Sequence, residues 1–173
     1  MLIISEPERL ERVTSFWDPW IDQKNSGWQL SQALIAFGRG EWFGLGLGGS
    51  IQKLFYLPEA HNDFILAVIA EETGILGCLL LLIAFAILIS KIFSVGKRCL
   101  QERLIFSGLS CHFIGILFSI QILINVGVST GALPTKGLTL PLISYGGNSM
   151  VVSLFLLGIV IRSIKEMKAN GNN

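Results

Sequence analysis

From Thr73 to Ser90 the chain runs TGILGCLLLLIAFAILIS, 18 residues without a charged side chain. A helix rises 1.5 Å per residue, so this run reaches about 27 Å, close to the hydrocarbon thickness of a bilayer. Backbone amides and carbonyls have no water to bond inside lipid, so a lone spanning segment of this kind must be helical. Two more apolar stretches follow. Leu104 to about Val126 is broken only by neutral polar residues and His112, and Ser149 to Ile161 draws in part of the glycine-rich stretch before it. The chain is 51% hydrophobic and only 14% charged, where a soluble domain carries about 25% charged residues. The class implied is an all-α polytopic integral membrane protein with three transmembrane helices, at about 63–93, 104–126 and 145–166. A connector over 94–103 and a loop over 127–144 complete the membrane region 63–173. Residues 1–62 form a separate outer region.

Lysine and arginine set the orientation. Lys91, Lys97, Arg98 and Arg103 gather around the first connector, and Arg162, Lys165 and Lys168 in the tail, while the 127–147 loop holds only Lys136. The connector and the tail are therefore expected in the cytoplasm, with residues 1–62 and the loop outside. No signal peptide precedes the outer region, and MLIIS is too short to be one or to span a membrane. The expectation is a carboxy-terminal part of a longer membrane protein. A net charge of +1 without a basic cluster argues against nucleic acid as a partner. Cys78, Cys99 and Cys111 show neither disulfide nor metal-ligand spacing.

The outer region opens with WDPW (Trp17 to Trp20), a turn with aromatic anchors. A helix is expected at about 26–38, where Leu30, Leu34 and Phe37 recur at helical spacing and Trp28 and Trp42 flank them, as in a helix lying at a membrane interface. GLGLGG at 44–49 matches GxGxxG, but no strand or βαβ unit surrounds it, so a dinucleotide site is excluded. Glycines here suit a turn that brings backbone close to a neighbour or ligand.

LPEAHNDF, residues 57–64, stands at the entrance of the first span. Pro58 bars a helix from running through, and Asn62 or Asp63 suits an N-cap, worth about 1 kcal/mol. Asp63 would also sit where water gives way to lipid, beside Glu59 and His61. Partial desolvation raises a carboxylate's pKa and makes it a better base, and a nearby cation lowers it. The two roles can coexist. Glu71 and Glu72 follow about 12 Å further along the helix, with Glu71 rotated about 80° from Asp63 and Glu72 on the opposite side. Glu71 is thus expected to line a cavity, and Glu72 to pair with another helix. His112 reads as a satisfied interhelical histidine. The 127–147 loop has five glycines, two prolines and Lys136. Irregular backbone at membrane depth is tolerated where it is buried or lines a wet cavity. Lys136 among exposed amides suits a diphosphate or carboxylate, and the alternative is a lysine snorkelling to a headgroup.

RVTSFWDPW, GWQLSQALIAFGRGEWFGLGLG, QKLFYLPEAHNDFILAVIAEETGILG and NVGVSTGALPTKGLTLPLISYGGNS, in that order, resemble the SEDS family of FtsW, RodA and SpoVE. The likeness covers nearly the whole chain. PEAH is similar to the FtsW branch, where RodA-like members usually carry PERH. Asn62, Thr73 and Asn148 depart from the commoner threonine, bulky apolar residue and serine. The resemblance implies the last three of about ten helices, together with a large outer loop. It also implies polymerisation of lipid II into glycan strands for septal peptidoglycan, in the bacterial cytoplasmic membrane at the division septum. Lipid II and undecaprenyl-diphosphate-linked glycan are the implied substrates. A class B penicillin-binding protein transpeptidase and other divisome membrane proteins are the implied partners.

Asp63 matches the family's catalytic position in HxDF. Lys136, Arg39 and Lys53 become candidates to stabilise the diphosphate, with His61, Glu71, Ser144 and Tyr145 in the substrate site. The resemblance fixes no cofactor, and Asp63 could help to hold a divalent cation, Mg or Mn. A lipid II flippase or transporter is the rival, since interrupted helices and membrane carboxylates serve transport too. Transport predicts charges near the bilayer midplane, whereas Asp63, His61 and Lys136 map to one outer rim. A non-catalytic division scaffold is a third reading, and it would tolerate Asp63→Ala.

Overall fold

The computed structural model describes residues 28–50, 64–134 and 138–170. Four helices account for the regular structure there: α1 Trp28–Gly40, α2 Ile65–Gln101, α3 Ile105–Ser129 and α4 Gly147–Asn170. Three of them, α2, α3 and α4, are long and apolar enough to cross a membrane. The chain is an all-α, multi-pass membrane protein.

Helix α2 continues to Gln101, through most of the stretch expected as a connector. Its cations explain this, because Lys91, Lys97 and Arg98 are all exposed while Ile92, Gly96 and Cys99 are buried. A solvated face does not end a helix whose other face is packed. The stop comes at Arg103, which takes a left-handed φ of 61°. Arg103 N–H then bonds Leu100 O at 3.1 Å and Leu104 N–H bonds Cys99 O at 2.9 Å, the paired bonds of a Schellman turn.

α2 and α3 then pack along their length. His112 lies between them, its Nδ1 2.8 Å from Gly108 O and its ring centroid 5.7 Å from that of Phe93. A Cβ at Gly96 would come within 2.6 Å of that nitrogen, so this glycine makes room for the imidazole. α4 joins the pair through Ile92, Cys111, Ile114, Phe118 and Val160. Ser107 Oγ adds a 2.6 Å hydrogen bond from α3 to Glu166 Oε2 on α4. Beyond α3, Leu140 is fully buried against Phe85 and Ile122, so the returning loop closes over the α2–α3 pair.

α1 packs against the first turns of α2, but not mainly through the expected stripe. Leu30 is buried, while Leu34 and Phe37 are half-buried. Ala33, Ala36 and Gly40 are the buried small residues, and the first two meet Phe64, Ala67 and Val68. A Cβ on Gly40 would lie 1.9 Å from Ala70 O. Small residues let helix backbones approach closely, which is how helices associate where no water drives them together.

Candidate functional site

At Gly74 the helical backbone of α2 breaks, with φ 71° and ψ −173°. In a continuous helix Ile75 N–H would bond Glu71 O, and Leu76 N–H would bond Glu72 O. Here all four groups turn to the loop that follows α1. Leu45 N–H bonds Glu71 O at 2.9 Å and Gly46 N–H bonds Glu72 O at 3.0 Å. In return Ile75 N–H bonds Glu41 O at 3.0 Å and Leu76 N–H bonds Trp42 O at 3.3 Å. The contact is close on both sides. A Cβ on Gly44 would fall 2.2 Å from Glu72 O, and one on Gly74 would fall 2.4 Å from Trp42 O. The glycine-rich stretch thus brings backbone against a neighbour, and that neighbour is the interrupted helix.

Directly beside this junction sits the buried acid. The Glu71 side chain has no exposed surface, and Ser50 Oγ donates to its Oε2 at 2.5 Å. Arg39 Nη1, from the last turn of α1, lies 3.8 Å from Oε1. The Ser50 contact is at hydrogen-bond distance and the Arg39 contact is longer, so the Ser50 hydrogen bond outweighs the ion pair. Arg39 keeps 44% of its side chain exposed, which weakens the pair further by solvent screening. A guanidinium has five N–H donors. Arg39 can therefore hold Glu71 with one nitrogen and still offer donors to an anion.

The candidates read from the sequence fall into three groups. Arg39 and Glu71 are brought together, joined by Ser50, which the sequence reading missed. Glu71 is buried, with Ser50 and Arg39 both at its carboxylate. Ser144 and Tyr145 are neighbours with opposite surroundings, Ser144 at 2% and Tyr145 at 81% exposure. Ser144 is held by its own N–H to Leu140 O at 3.0 Å. Asp63, His61, Lys53 and Lys136 lie outside the described residues. Two of them border described anchors in the chain. Asp63 precedes Phe64, which is 2% exposed. Phe64 takes the N-cap position of α2, so the helix starts one residue later than a cap at Asp63 would have it, and phenylalanine supplies no capping group. Lys136 precedes Gly137 and Leu138, and Leu138 O accepts a 2.8 Å hydrogen bond from Asn125 Nδ2 of α3. Among the described residues no three His, Cys, Asp or Glu side chains converge as a metal site would require.

Residues 1–169 match the family described as "Cell cycle protein", FtsW/RodA/SpoVE. The chain is 55% identical over 161 residues to the "Probable peptidoglycan glycosyltransferase FtsW" of Halomonas elongata, covering 93% of this chain and 41% of that protein. It is 56% identical over 167 residues to the protein of the same description from Marinomonas mediterranea, covering 96% and 41%. The Aliivibrio salmonicida relative, also so described, is 56% identical over 169 residues, covering 97% and 42%. A chain of the solved structure described as "Structural coordination of polymerization and crosslinking by a peptidoglycan synthase complex" matches with TM-score 0.67 and 29% identity, over 94% of this chain and 43% of that one. The chain spans about two fifths of the length of these curated relatives.

Proposed function

The chain belongs to the FtsW/RodA/SpoVE family of cell cycle proteins, and from that membership we propose that it serves a peptidoglycan glycosyltransferase that polymerises lipid II for the division septum. The observation that carries this reading is the description of its relatives as probable peptidoglycan glycosyltransferases, at 55–56% identity along nearly its whole length.

The chemistry follows from two lipid-linked sugars meeting at one outer rim. The 4-hydroxyl oxygen of incoming lipid II attacks C1 of the growing strand. The C1–O bond to the diphosphate breaks, undecaprenyl diphosphate leaves, and the α linkage becomes β. The hydroxyl proton passes to a base, for which Asp63 is proposed, with His61 two residues before it. Such a base contributes typically 10²–10⁴-fold. The departing diphosphate needs fixed positive charge and amide donors. Lys136, Arg39 and Lys53 are proposed for that role. The Arg39–Glu71–Ser50 contact supports it by holding one of these cations at a set place beside α2. If a divalent cation, Mg or Mn, takes part, Asp63 is the residue proposed to help hold it.

The proposed setting is the bacterial cytoplasmic membrane at the septum. A class B penicillin-binding protein is the proposed partner. Its support is the solved relative's membership of a complex that coordinates polymerisation with cross-linking.

The test replaces Asp63→Asn in the full-length protein at normal membrane levels. Lipid II polymerisation should drop by about 10²-fold or more. Retained activity would sink the base assignment and return weight to transport or scaffolding. Lys136→Ala should raise the KM for lipid II about tenfold, equivalent to about 1.4 kcal/mol of binding. Unchanged kinetics would make it a snorkelling lysine.

A further inference from the structure

We propose that the loop Glu41–Gly46 is a positioning element for the transferase reaction, replacing the missing helical turn of α2 and holding the outer segment of α2 in register. The role rests on the transferase reading, and its structural half can be measured without activity.

The exchange of partners at Gly74 is reciprocal. Two carbonyls and two amides that a continuous helix would pair with each other instead pair with two amides and two carbonyls of one short loop. An unpaired backbone group is costly where water is excluded, so helix break and loop must form together. The contact is specific to its glycines. Gly44 and Gly74 both have positive φ and both would clash with backbone if they carried a Cβ. Gly48 also has positive φ, +85°, yet nothing lies within 4 Å of its Cβ position. Gly48 is thus a turn glycine, and Gly44 is a junction glycine.

What the junction carries is the outer segment of α2. That segment runs from Phe64 to Thr73, is packed on α1 through Phe64, Ala67 and Val68, and includes Glu71, which is tied to Ser50 and Arg39. α1, the loop and residues 64–73 form one packed unit. Gly74 separates this unit from the apolar span beyond, so its placement does not depend on unbroken helical hydrogen bonding from the membrane. The loop supplies that constraint instead. The proposed base, Asp63, is bonded directly to the first residue of the unit. Misplacing a reacting group by about 1 Å can cost about 10²-fold in rate. A loop that sets the register of this segment therefore acts on turnover more than on substrate affinity.

The test uses the full-length protein in membranes and compares Gly44→Ala with Gly48→Ala. Both substitutions place a side chain at positive φ, but only the first meets the helix. Hydrogen–deuterium exchange is followed in a peptide covering Ile75 and Leu76, alongside kcat and KM for lipid II. Gly44→Ala is expected to raise exchange about tenfold or more and lower kcat about tenfold or more, with KM within about twofold. Gly48→Ala should leave all three within about twofold. An amide-to-ester replacement at Leu45 deletes only the N–H that meets Glu71 O, and it carries the test where Gly44→Ala does not accumulate. It should lower kcat about threefold in the same KM-independent manner.

Raised exchange with unchanged kcat would overturn the positioning role and leave a purely structural joint. Unaltered exchange at Ile75 and Leu76, or equal effects from Gly48→Ala, would overturn the junction itself. A wild-type protein without polymerase activity would overturn the transferase reading and the positioning role with it, while the exchange contrast would still report on the joint.

Discussion

Helix α2 meets two left-handed residues, and the chain answers them in opposite ways. At Arg103 the backbone closes on itself: the backbone–backbone hydrogen bonds of the turn join residues between Arg98 and Leu104, and among the described residues only the Asn170 side chain of α4 adds a longer one, to Glu102 O at 3.4 Å. At Gly74 the rescue comes from Glu41, Trp42, Leu45 and Gly46, about thirty residues earlier in the chain. The local repair tolerates an arginine at positive φ, because the turn is exposed and its side chain faces open surface. The distant repair demands glycine on both strands of the contact, because two backbones approach within what a Cβ would occupy. A helix end can therefore be managed by its own neighbours, whereas a helix break inside a packed bundle needs a partner shaped to fit it.

The largest expected effect breaks the distant repair. Gly74→Ala adds a Cβ facing Trp42 O at 2.4 Å and a residue at φ 71°, so a loss of about 3 kcal/mol is expected from combined strain and overpacking. Unfolding in detergent measures it. A loss below about 1 kcal/mol would mean that loop and helix part easily, and the contrast with Arg103 would collapse.

Next comes the acid that borders the junction. Glu71→Ala removes the acceptor of a buried hydroxyl and should destabilise by about 2 kcal/mol, with Glu71→Gln costing about half as much because an amide oxygen still accepts. Equal losses for both would assign the effect to charge rather than to the Ser50 hydrogen bond. Arg39→Ala should cost under about 1 kcal/mol, since the pair is long and the guanidinium half-exposed. That small loss should shrink further in high salt. The smallest change is expected at the local repair. Arg103→Gly should stabilise by about 0.5 kcal/mol, the relief of left-handed strain offset by the greater flexibility of glycine. Destabilisation instead would show that the Arg103 side chain itself contributes to the turn.

Much of this was legible in the residues. Three apolar spans were visible as charge deficits, and the helix before the glycine-rich stretch lies within two residues of its expected start and end. The site was harder to see. Helical geometry set Glu71 about 12 Å along the helix from Asp63, but the sequence offered no sign that Ser50 would reach the Glu71 carboxylate. Ala33, Ala36 and Gly40 formed a small-residue series that could have identified the packed face of α1. The Leu30, Leu34 and Phe37 stripe is the stronger hydrophobic signal, yet only Leu30 of the three is buried. At Ser144 and Tyr145 adjacent residues received one role, though the turn buries the first and exposes the second.

By itself the sequence determined the all-helical membrane class, the number of spans, the expected orientation and the family motifs. These depend on apolarity, charge and residue order, which add up along a chain whatever its shape. Only the tertiary structure decided that α2 breaks at Gly74, that a loop from beyond α1 mends it, and that Arg39 and Ser50 both reach the buried Glu71. Those outcomes depend on which backbone groups meet across a distance, and hydrogen-bond partners exist only once the chain is folded.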